Sequence, residues 1–89
     1  MPVKADMVTD MTEGRETRAV RDRLVREYGS RLTVRAARMA ARAPGRGESP
    51  ASLRALARNW IDETSTCLRL AADLLEARMA DDEERRAGG

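Results

Sequence analysis

Eighty-nine residues, 42 % apolar and 36 % charged but with a single Tyr, a single Trp and no Phe, make one domain at most, with an aliphatic core. A chain rich in Ala, Arg, Leu and Glu and poor in β-branched and aromatic residues favours long helices over sheet. The net charge of +2 implies no particular partner, while one cysteine and no histidine exclude an internal disulfide and leave a zinc site or a histidine-based active site without its usual groups.

Residues 1–13 hold no apolar run and carry Asp6, Asp10 and Glu13, so they read as a flexible segment and not as a secretory signal. No stretch approaches the roughly 20 apolar residues of a membrane span. The expectation is a cytoplasmic protein without a membrane partner, with a single helical domain over 14–82.

The first half of that domain carries Val20, Leu24, Tyr28, Leu32, Ala36, Met39 and Ala43 at steps mostly of four, the spacing of one helix face. Gly29-Ser30 interrupts it, since Gly can cap one helix and Ser start the next. Two readings stay open: one long or kinked helix over about 15–43, which is preferred, or two helices over 15–28 and 31–43. The run from Leu24 to Arg35 also resembles a bacterial helix-turn-helix, which passes from a helix through Gly into a Ser- or Thr-capped recognition helix. It has one residue fewer between Gly29 and Thr33-Val34 than the usual pattern, and no wing follows. The resemblance implies that Arg31, Arg35, Arg38 and Arg42 would face DNA.

Residues 44–49 are a turn. Pro44 disfavours helix at Ala43, and Ser49 before Pro50 is a strong helix start, because the hydroxyl accepts an orphan amide bond and Pro loses none. From there Leu53, Leu56, Ala57, Trp60, Ile61, Thr64, Cys67, Leu68, Ala71, Leu74, Leu75 and Met79 keep one broad stripe, which predicts a continuous helix over about 50–82. Four acids from Asp81 to Glu84 oppose the helix dipole, which predicts fraying and a disordered tail over 83–89.

The fold expected is therefore all-α: two long amphipathic helices as a hairpin, or three helices if the first splits at Gly29. A hairpin leaves half of a broad stripe wet, so pairing of two copies into a four-helix bundle is expected. Its interface would hold Leu53, Trp60, Ile61, Thr64, Cys67, Leu68, Leu74 and Leu75. In an antiparallel dimer Cys67, near the midpoint of the second helix, would meet its symmetry mate.

Charge is uneven along the chain. Residues 14–46 hold ten arginines against three acids, whereas 47–89 hold six against nine. The simplest account is mutual pairing of the two halves. The functional account is contact of Arg31, Arg35, Arg38, Arg42 and Arg46 with an acidic protein or, second, with nucleic acid. No phosphate-binding loop, cofactor motif or catalytic constellation is present. The expected function is a non-enzymatic interaction and oligomerisation module of regulatory or adaptor type. The alternative is a small DNA- or RNA-binding regulator that uses the Arg-rich half and dimerises through the second helix.

Overall fold

A computed structural model describes residues 13–88, so the segment expected to be flexible, 1–13, lies outside the described residues except for Glu13, which pairs with Arg21 at 2.6 Å. Four α-helices follow one another: α1 (Arg15–Tyr28), α2 (Ser30–Arg42), α3 (Pro50–Ala57) and α4 (Glu63–Gly88), with a 3₁₀ turn at Pro44–Arg46. No strand occurs among the described residues.

The first half is split at Gly29, as the second of the two readings had it. Gly29 has φ 90° and ψ 163°, a region open essentially to glycine alone. Its N–H closes α1 on the Val25 carbonyl at 2.9 Å, and its own carbonyl accepts both the N–H and the hydroxyl of Thr33. Beyond the turn, Ser49 caps α3 in a reciprocal capping box with Ser52, and Pro50 takes the first helical position.

The expected continuous helix over 50–82 is broken at residues 58–62. The end of α3 tightens, with Asn59 and Trp60 donating to Leu56 and Ala57 at 3.0 and 3.3 Å. Asp62 then caps α4: its carboxylate accepts from the Thr64 N–H at 2.9 Å and its carbonyl from the Ser65 N–H at 3.0 Å. The Ser65 hydroxyl donates back to the Ala57 carbonyl at 2.9 Å, pinning the end of α3 to the start of α4. This break lets α3 fold back, so that α4 packs against α1, α2 and α3 alike.

Four helices thus pack together within one chain. Leu24, Ala36, Ala40 and Ala43 meet Leu53 and Ala57 of α3 and Leu68, Leu70, Ala71, Ala72, Leu74 and Leu75 of α4 in one core. The consecutive burial of Leu70, Ala71 and Ala72 shows α4 covered on several sides, which the single stripe did not anticipate.

Where the sequence predicts fraying and a disordered tail over 83–89, α4 continues through the described residues to Gly88, and Gly89 lies outside them. Two of its acids, Asp81 and Glu84, meet groups of α1, and Asp82 is paired within α4 itself. Asp81 accepts from the Glu16 and Thr17 N–H groups at 2.9 Å each and from the Thr17 hydroxyl at 2.8 Å. Gly14, the N-cap of α1, offers no side chain, so a residue distant in sequence supplies the missing cap. Asp82 pairs with Arg85 at 3.4 Å and Glu84 with Arg15 at 3.1 Å.

Candidate functional site: an arginine row on α2

Internal ion pairs consume part of the charge asymmetry. Glu63, first residue of α4, takes Arg31 in a two-pronged bond at 2.8 and 3.0 Å and Arg35 at 3.0 Å. Arg35 also donates to the Thr64 hydroxyl at 3.2 Å. These guanidiniums, Arg31 first, hold the Glu63 carboxyl below its ordinary value. On α3, Arg54 bonds Asp73 at 2.8 Å and Glu76 at 3.1 and 3.3 Å, and Arg54 lowers the Glu76 carboxyl in turn. Two of the five arginines singled out in the sequence are therefore structural ties between α2 and α4.

The remaining three are not. Arg38, Arg42 and Arg46 are exposed, and their side chains have no ion pair or hydrogen bond with another described residue. Arg38 and Arg42 are one helical turn apart, and the 3₁₀ turn carries Arg46 onward. Arg42 and Arg46 border a shallow groove of about 230 Å³ with Met39, Leu56 and Glu48. Leu56, expected on the buried stripe, is more than a third exposed there. The groove thus combines cationic edges with an apolar floor.

The expected dimer interface falls apart into two sets. Leu53, Cys67, Leu68, Leu74 and Leu75 are buried in the chain's own core, and Cys67 is 0 % exposed. Burial also raises the Cys67 thiol above its ordinary value, against the pull of Arg35. In this fold that thiol has no surface to offer a symmetry mate. Thr64 is half-buried under Arg35. Trp60 and Ile61, by contrast, lie in the α3–α4 connection and are 50 % and 103 % exposed. Asp62 is the signal that would have found this: an N-cap residue followed by Glu at the first helical position.

Fold and surface together show four helices packed around one core, with a row of arginine side chains that have no acidic partner among the described residues. No family model, curated protein or solved structure matches the chain significantly. Among the described residues no group of three or more His, Cys, Asp or Glu is arranged to hold a metal ion, and no helix is long and apolar enough to cross a membrane.

Proposed function

We propose that this chain is a non-enzymatic helical interaction module, of regulatory or adaptor type in the cytoplasm, that docks an acidic protein partner on Arg38, Arg42 and Arg46. The observation that carries this reading is the division of the arginines. Arg31, Arg35 and Arg54 are spent on Glu63, Asp73 and Glu76, while the other three have no acidic partner among the described residues. An apolar floor rimmed by charge suits a protein side chain, as interfaces combine an apolar centre with a polar rim. The apolar floor of Met39 and Leu56 would contact a protein side chain but gives nothing to a phosphate backbone, and on that ground nucleic acid is the second reading.

The test uses poly-glutamate as the acidic probe and random-sequence duplex DNA as its competitor, in a salt series. Replacing Arg38, Arg42 and Arg46 together with Gln should abolish poly-glutamate binding without changing the helical content. A sub-micromolar DNA complex at physiological salt, lost in the same variant, would favour the nucleic-acid regulator instead. Self-association remains a second reading, supported by the exposure of Ile61 and Trp60 beside each other. Such a dimer would meet through the α3–α4 connection and not through the leucines of α4.

A further inference from the structure

We propose that the cleft between the end of α1, α3 and the start of α4 binds a nucleoside phosphate. The chain has only two aromatic side chains, Tyr28 and Trp60, and both line this one cleft. Each is about half exposed, at 45 % and 50 %, although large aromatic surfaces ordinarily go into a core. Both are positioned by backbone. Tyr28 is the last residue of α1, immediately before the glycine-only turn at Gly29, and the Trp60 N–H is bonded to the Ala57 carbonyl at 3.3 Å. The cleft encloses about 510 Å³, within the roughly 300–1,000 Å³ of small-molecule sites.

Its charge is positive. Arg54, Arg58 and Arg69 face the single acid Asp73. Asp73 is already held by Arg54 at 2.8 Å and by Arg23 at 3.7 Å, so its charge is compensated. Arg69 gives one N–H to the Ser65 hydroxyl at 3.0 Å and has no carboxylate partner among the described residues. The Arg58 side chain has no hydrogen bond or ion pair with another described residue. Two guanidiniums thus stand free to take a phosphate in forked geometry, next to two aromatic faces on which a planar base can stack. A base with its phosphate uses both halves of the site. The groove at Arg42 and Arg46 shares no residue with this cleft, so the inference stands apart from the docking proposal.

Trp60 is the only tryptophan, so its indole N–H resonance reports the cleft alone. The protein is titrated separately with adenosine monophosphate, adenosine, inorganic phosphate and a short single-stranded RNA. The nucleotide should shift that resonance saturably, and adenosine or phosphate alone should bind about tenfold more weakly or worse. Tyr28→Ala and Arg58→Gln should each weaken the nucleotide about tenfold while leaving the core resonances in place, since both side chains are exposed. Saturation by the RNA but not the mononucleotide would support the same chemistry and assign its source to a nucleic-acid strand. No saturable shift with either, phosphate alone binding as well as the nucleotide, or unchanged affinity in Tyr28→Ala would overturn it.

Discussion

The carboxylate of Asp81 is 7 % exposed and holds the first turn of α1 through three donors, so its ionisation is tied to folding. Burial pushes its pKa up, but the Thr17 and Glu16 amides, the Thr17 hydroxyl and Arg85 outweigh burial and bring it below the ordinary 3.8. The folded state therefore binds this proton less tightly than the unfolded chain. Its contribution is complete above that ordinary value and is lost as pH falls through the lower, folded one. Asp81→Asn should lower stability by about 1–3 kcal/mol at neutral pH and flatten the acid limb of a pH-dependent denaturation series. A limb that matches the parent protein would show that the carboxylate does not carry it. Gly14→Ala tests the same contact from the other side, because a Cβ there would overlap the Asp81 carboxylate. Its loss should be comparable to that of Asp81→Asn. None of this was legible in the sequence: Asp81 reads as one of four surface acids, and only the return of α1 to its side makes it a cap.

The helix ends decide the architecture at the scale of the element. Ser49 and Pro50 announce α3 in the sequence, and Gly29 announces the split between α1 and α2. The break before α4 was hidden because Trp60 and Ile61 continue the apolar spacing of Ala57 and Thr64, and hydrophobic period outweighed a single capping residue. Gly29→Ala should cost about 1–3 kcal/mol from backbone strain alone, since an added Cβ there would meet no other atom within 4 Å. Asp62→Ala should cost about 0.5–2 kcal/mol, and amide exchange should quicken first at Thr64 and Ser65. If the chain instead ran as one helix through this point, Asp62→Ala would be neutral or stabilising, as Ala is the better residue inside a helix.

For the whole molecule, the apolar residues of the second half were legible as core, and most are: Leu53, Leu68, Leu74 and Leu75 are all buried. What they pack against was not, because a period reports that a face is covered and not whether the cover is the same chain. Leu74→Ala should cost about 2–5 kcal/mol with a melting temperature independent of protein concentration, whereas Trp60→Ala, at an exposed site, should change stability by less than about 0.5 kcal/mol. A Trp60→Ala loss as large as that of Leu74→Ala would place the indole in a buried interface between copies.

The arginine row works as a docking face only if one chain completes its own core and leaves α2 uncovered. Light scattering across a wide concentration range, alone and with poly-glutamate, measures this directly. The expected result is a single 9.9 kDa species alone, and a heavier complex with the acidic chain that vanishes when Arg38, Arg42 and Arg46 are replaced by Gln. A dimer at all concentrations that this triple replacement dissociates would contradict it, because α2 would then be the contact between copies and closed to any other partner.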